Sequence, residues 1–294
     1  MNNKITYHQP NVIAEIGCNH KGDFEIAKDL IRLAKDCGAE YAKFQKRNAR
    51  ELLTEEQYNA PHPNPMHSYG DTYGEHRENL EFNLEQHAEL KAYCESLGIG
   101  YSTSVWDNTS AREIVSLKPD FIKVPSACNN NFEMLGILRD EYDGEVHISF
   151  GMTNRDEGEA IVSFFEENNS AQSKLVIYAC TSGYPVPFED VCLLEIRRLY
   201  ERYEQRVKQI GFSGHHLGIA IDVAAYTLGA QWVERHFTKD RTWKGTDHAA
   251  SLEPGGMGKL CRDLKATHSA LGYKEDEILD IEKVQREKLK YRKH

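Results

Sequence analysis

The chain has 294 residues, 40% of them hydrophobic and 28% charged, the balance of a soluble globular protein with one sizeable core. Its net charge of −10 gives a nucleic-acid or anionic-membrane partner no overall electrostatic support, so an anionic substrate needs locally concentrated positive charge. Seven scattered cysteines, odd in number and without a C-x-x-C pair, argue against a disulfide framework or a structural zinc site. Residues 1–10 are polar and lack the apolar stretch of a signal peptide, and no run approaches the roughly 20 apolar residues of a membrane span. A cytoplasmic protein is expected.

In chain order, the first predicted strand is 12–17, with Glu15 late in its run. Ala27, Leu30, Ile31 and Ala34 then recur at helical spacing. The second strand, 41–45, sets Lys43 and Gln45 on one face and Ala42 and Phe44 on the other, because residues two apart share a face. A long connection follows, 46–82, with the run Pro61-His62-Pro63-Asn64-Pro65; connections of that length often cover a site. A second helical stripe, Leu90, Tyr93, Cys94 and Leu97, precedes strand 100–105 with Thr103. Strand 121–126 carries Lys123 and Ser126, and strand 146–151 carries His147 and Ser149. After strand 175–182 come 209–215, pairing Ser213 with His215, and 232–238, where Glu234 and His236 oppose Val233, Arg235 and Phe237. The glycines of Gly255-Gly256-Met257-Gly258-Lys259 read as a plain helix start, since the spacing of a P-loop fails. The tail, 273–294, is charged and expected to end as a solvated helix.

Eight apolar runs alternating with helical stripes, with no linker between them, predict an α/β fold: a single-domain (β/α)₈ TIM barrel with its core at about 11–272. A doubly wound open sheet would show the same alternation. The outer faces of barrel strands pack on helices and take apolar residues, so the ionisable sets face the barrel mouth. Burying a charge unpaired costs several kcal/mol, which makes a convergent Lys–Glu–His group a functional one. Single buried polar residues are ordinarily structural. Arg235 and His147 read that way, and the cysteines as small core residues. His215 and His236, on neighbouring strands, are candidate ligands for a divalent ion through neutral imidazole nitrogens. Glu15, Glu234 and Asp247 are candidates for ligation or proton transfer. Lys43 and Lys123, with Thr103, Ser126, Ser149 and Ser213, form an anion cradle suited to a phosphate-and-carboxylate ligand.

These residues fall in strings: Ala14 to Gly22, Lys43-Phe44-Gln45, Tyr73-Gly74-Glu75-His76-Arg77, Lys123 to Ser126, and Ser149 to Met152. Further on come Cys180-Thr181-Ser182-Gly183-Tyr184-Pro185, Gly211 to His215, Glu234 to Thr238, and Gly245-Thr246-Asp247-His248. Over roughly 11–270 the set resembles the sialic acid synthase family, which builds nine-carbon 2-keto-3-deoxy acids from phosphoenolpyruvate. The resemblance implies a barrel and a divalent ion held by His215 and His236, usually Mn²⁺, with Mg²⁺ or Co²⁺ as alternatives. It implies phosphoenolpyruvate among Lys43, Thr103, Lys123, Ser126, Ser149, Ser182 and Ser213, and a sugar aldehyde near Glu15, Gln45, Tyr184 and Asp247. Glu15, Glu234, Lys43 and Lys123 would carry the catalytic chemistry.

Three departures from the family pattern bear on the sugar. Cys128 stands where a carboxylate is frequent, and Gly214 where an aspartate is usual. The sequence also ends at His294, without the family's C-terminal antifreeze-like domain. The expected sugar is therefore not N-acetylmannosamine but one such as a phosphorylated aldose, gripped by Lys239, Arg241 or Lys244. A homo-oligomer is compatible with the sequence. The competing readings are a metal-dependent barrel aldolase acting on a keto acid or phosphosugar, and a non-catalytic sugar-binding barrel.

Overall fold

Eight parallel strands pair in chain order and the eighth closes on the first. They are β1 (Asn11–Gly17), β2 (Tyr41–Lys46), β3 (Gly100–Val105), β4 (Phe121–Val124), β5 (Glu145–Ser149), β6 (Leu175–Cys180), β7 (Gln209–Gly214) and β8 (Trp232–His236). The open-sheet alternative is thereby excluded. This computed structural model describes residues 5–291; the extreme ends of the polar opening and of the charged tail, 1–4 and 292–294, lie outside the described residues. Four strands end two residues before the sequence suggests, at Val124, Ser149, Cys180 and His236. Their predicted ends, Ser126, Gly151, Ser182 and Thr238, belong instead to the loops at the carboxyl mouth.

Eight helices clothe the barrel: α1 (Phe24–Asp36), α2 (Leu84–Leu97), α3 (Asn108–Leu117), α4 (Phe132–Asp140), α5 (Arg155–Glu166), α6 (Leu194–Tyr203), α7 (Ala220–Thr227) and α8 (Pro254–Ala270). Helix α1 buries the predicted stripe of Ala27, Leu30, Ile31 and Ala34. The Asp23 carboxylate accepts from the Glu25 and Ile26 amides at its start, satisfying donors that have no partner within the helix. The glycine run falls in the first turns of α8. The tail ends in a helix, Asp280–Leu289, that buries no residue, as expected of a solvated element. Among the described residues no helix is long and apolar enough to cross a membrane.

Strand alternation divides the interior. Outward residues such as Ala14, Phe44, Ile122 and Val233 join the helices in two apolar shells. Inward, Ile13, Phe121, Val176, Tyr178 and Trp232 plug the lower barrel, with Tyr41 against them. Each such fully buried side chain contributes about 1.5–3 kcal/mol. His147 stacks on Phe121 at 4.0 Å and shares hydrogen bonds with Tyr178 Oη and Glu145, so it is a satisfied core residue. Arg235 faces outward, paired with Asp222 at 2.5 Å and donating to the His216 carbonyl. All seven cysteines are free thiols.

Candidate active site

Directly above the aromatic plug, the inward positions turn ionic. Cross-strand neighbours in a parallel sheet share a face, and the register links Glu15 to Lys43, Lys43 to Ser102, Ser104 to Lys123, Ser213 to Glu234, and Glu15 to His236. Lys43 is paired with Glu15, donates to Ser104 Oγ at 2.7 Å and lies 3.6 Å from Glu234. Lys123 is 2.7 Å from Glu234 Oε1, which also accepts from Ser213 Oγ at 2.9 Å. Gln45 Nε2 donates to Glu15 Oε1 at 3.0 Å, and Lys123 lies over the Tyr178 ring, 3.8 Å from its centre. Two ammonium groups and two carboxylates thus balance one another in a buried layer.

The electrostatics follow from this packing. Burial alone would raise the Glu234 pKa, but Lys123 and Lys43 outweigh it and hold the carboxylate well below its usual range. Burial works against the Lys43 charge too, yet Glu15 and Glu234 raise its pKa. For Lys123 burial wins, helped by Lys43, and its pKa is lowered despite Glu234.

Above the ionic layer the cavity is walled by Ser126, Ser149, Ser182, Ser213, Tyr184 and the two histidines. Gly151 makes the serine wall possible: a Cβ there would lie 2.5 Å from Ser182 Oγ and 2.8 Å from Ser126 Oγ. The rings of His215 and His236 are 5.4 Å apart, and Tyr184 lies against His215 at 4.2 Å with the rings tilted by 43°. His215 Nδ1 faces the Thr181 carbonyl at 3.0 Å, which requires a proton on Nδ1 and leaves Nε2 as a lone-pair donor. Burial, and then His236, hold its pKa down to about 3, so the ring is neutral. Nδ1 of His236 is buried with no hydrogen-bond partner. Two such rings fit a divalent cation; among the described residues no group of three or more His, Cys, Asp or Glu completes a ligand set. The remaining ligands would be oxygens of water or substrate.

The structure brings together Glu15, Lys43, Gln45, Lys123, Ser126, Ser149, Ser182, Tyr184, Ser213, His215, Glu234 and His236. It turns Thr103 away. Thr103 pairs in register with outward-facing Phe44 and donates to Tyr101 Oη at 2.6 Å behind the barrel wall, while Ser104, paired with Gln45, takes the inward place. Asp247 is not a lining residue; it lies in the loop after β8, near enough to Tyr184 and Cys18 to act on them electrostatically. The three cations expected to grip a phosphate on that loop are engaged within the protein. Lys239 is paired with Asp29, Arg241 donates to the Ala249 carbonyl, and Lys244 lies over the Tyr69 ring.

The two substituted positions are packing sites. Cys128 Sγ lies against the Val105 and Pro125 carbonyls, in the core rather than the cavity. A Cβ on Gly214 would lie 2.8 Å from ring atoms of both Phe212 and His216, so a side chain there would require those rings to shift. Sequence reasoning missed Ser104, Trp106 and Cys180 among the lining residues. For Ser104 the signal was present: Tyr101, Thr103 and Val105 form the bulky outward phase of β3, leaving the small serines inward.

The NeuB family pattern matches residues 30–276 of the chain. The chain is 40% identical over 284 residues to the N-acetylneuraminate-9-phosphate synthase of Homo sapiens, covering 96% of this chain and 77% of that protein. It is 31% identical over 261 residues to the N,N'-diacetyllegionaminic acid synthase of Campylobacter jejuni, covering 89% and 77%. Its fold superposes with a TM-score of 0.80 on the N-acetylneuraminic acid (sialic acid) synthetase from Leptospira borgpetersenii, crystallised with citrate. There the identity is 26%, and 99% of this chain and 97% of that one are covered.

Proposed function

The chain belongs to the NeuB family of sialic acid and related sugar-acid synthases, and from that premise we propose that it condenses phosphoenolpyruvate with a 6-phosphorylated N-acylhexosamine. The family's reaction joins phosphoenolpyruvate to a sugar with release of phosphate. Its three carbons become carbons 1–3 of the acid, so a phosphate at carbon 9 of the product starts at carbon 6 of the aldose. The 40% identity to a 9-phosphate synthase, together with the ionic layer of Lys43, Lys123, Glu15 and Glu234 beneath two imidazoles, carries this reading.

Carbon 3 of phosphoenolpyruvate attacks the aldehyde carbon, and the new C–C bond leaves positive charge at carbon 2. Water adds at carbon 2, a proton leaves it, and phosphate departs with the bridging oxygen by C–O cleavage. Lys43 and Lys123, with hydroxyls of Ser126, Ser149, Ser182 and Ser213, hold the carboxylate and phosphate of the substrate. Glu234 is a poor proton acceptor because both lysines hold it ionised; its part is to fix their positions. Glu15, paired with Lys43 and accepting from Gln45, is assigned the water's proton at its carboxylate. Gln45 and Tyr184 orient the sugar. His215 and His236 would hold the divalent metal, read as Mn²⁺, which when bound supplies Lewis-acid polarisation of the aldehyde oxygen.

Aldose-dependent release of inorganic phosphate from phosphoenolpyruvate tests the reading. In H₂¹⁸O the label is expected at carbon 2 of the keto acid and absent from the phosphate. Labelled phosphate means attack at phosphorus and overturns the mechanism, while absence of release with any aldose returns the barrel to a binding role.

A further inference from the structure

The cations around the mouth are engaged in distinct ways. Lys239 has Asp29, Lys46 has Glu113, and Lys21 and Lys244 lie over Trp243 and Tyr69, rings that do not line the cavity. Arg47 is buried, with Nε 2.5 Å from Glu81 and Nη2 2.8 Å from Cys18 Sγ. Arg77 also lies over a ring outside the cavity lining, that of Tyr73 at 5.0 Å, but it has a second ring beside it. It projects from the short helix Tyr73–Asn79, and its Nε and Nη2 donate to the hydroxyl of Tyr73, at 3.2 and 2.7 Å. No carboxylate among the described residues is within ion-pair distance of it, and it is half-buried. Its guanidinium carbon is 5.7 Å from the centre of the Trp106 ring, and Trp106 walls the cavity. Arg47, paired with Glu81, lies 5.8 Å from the same ring.

We propose that Arg77 reads the phosphate of the sugar and so sets which aldose the site accepts. The aldehyde has to meet the Lys–Glu layer and the histidines at the bottom of the cavity. The opposite end of the open chain then runs along the wall toward the mouth, where Trp106 carries Arg77. A guanidinium with no carboxylate partner, whose Nε and Nη2 meet only the Tyr73 hydroxyl, keeps N–H donors on Nη1 and Nη2 that phosphate oxygens accept. Burial raises the Cys18 thiol to about 12, against the pull of Arg47, so no thiolate competes with the phosphate there. The phosphate thus finds the positive charge on the β2–α2 connection, where the sequence pointed to the loop after β8.

This role rests on the condensation reaction proposed above, and one assay separates the two. Phosphate release is measured with N-acetylmannosamine and with its 6-phosphate, for the unmodified protein, Arg77→Met and Arg77→Lys. The readout is the ratio of kcat/KM for the phosphorylated sugar to that for the free sugar. The ratio should exceed one in the unmodified protein and fall about tenfold to a hundredfold in Arg77→Met, the effect of losing a charge-assisted hydrogen bond. Arg77→Lys, which keeps the charge but loses the fork, should fall in between. An unaltered ratio in Arg77→Met, both sugars losing activity alike, makes Arg77 a structural support for Tyr73 and Trp106 and overturns its role alone. A preference of the unmodified protein for the free sugar overturns the role of Arg77 and the 6-phosphorylated substrate while leaving the condensation itself standing. No release with either sugar overturns the reaction and the role of Arg77 together.

Discussion

Thr103 and Ser104 are adjacent, hydroxylated and completely or almost completely buried, yet they belong to different parts of the molecule. Thr103 spends its hydrogen bond on Tyr101 behind the wall, and Ser104 accepts from Lys43 within the site. Thr103→Val should therefore lower folding stability by about 1 kcal/mol while kcat/KM stays within about twofold. Ser104→Ala should do the reverse, costing about tenfold in kcat/KM by leaving a buried ammonium short of an acceptor. Urea midpoints and steady-state rates for both variants check the pair, and a tenfold loss in Thr103→Val would mean that the hydroxyl does face the substrate. The metal assignment is tested at the same scale. His236 carries a buried nitrogen with no partner, so His236→Ala should fold while Mn²⁺ affinity in calorimetry falls at least about tenfold. Affinity unchanged from the unmodified protein refutes the site.

The connection between β2 and α2, read from sequence as one long covering loop, is a chain of short helical segments: Ala49–Leu52, Glu55–Asn59, Pro65–His67 and Tyr73–Asn79. Each is too short to persist alone, and local caps hold them, including capping boxes at Thr54 and Thr72. Across the mouth this element is tied to the loop after β8. Tyr69 Oη donates to the Lys244 carbonyl at 2.5 Å, and the Gly245 amide donates to His67 Nδ1 at 3.1 Å. Tyr69→Phe removes one tie and should loosen both segments. Hydrogen exchange should rise over 62–72 and 242–248, with the sugar's KM rising more than kcat falls. Exchange that speeds up throughout the barrel would instead mark a global loss of stability.

Over the whole molecule, the barrel buries histidines as neutral rings. Burial lowers His20 and His87 to about 3 and His147 to about 4. In the unfolded chain the same rings titrate near ~6.5. Below that pH the unfolded chain binds protons that the folded one refuses. The stabilisation is complete above pH ~6.5 and declines as pH falls toward 4, by up to about 1.4 kcal/mol per pH unit for each histidine. Urea unfolding free energies should fall measurably between pH 6.5 and 5, before most carboxylates titrate. A flat profile over that range would show that these rings take up protons in the folded state.

Period-two alternation and helical stripes were enough to place all eight strands and to set Lys43, Gln45, Glu234 and His236 inward, because an amphipathic strand buried against helices announces its outer face. The family strings named most of the remaining cavity residues. In β3 both phases carry hydroxyls, so the bulk of Tyr101, Thr103 and Val105 was a weak mark of the outer face, and register with Phe44 and Gln45 settled Thr103 against Ser104. Distance along the chain hid the pairing of Lys123 with Glu234, 111 residues apart, and the approach of Arg77 to Trp106. Closure of the barrel made those pairs neighbours. A side chain's partner depends on which elements the fold brings together, whereas its face depends only on the residues beside it.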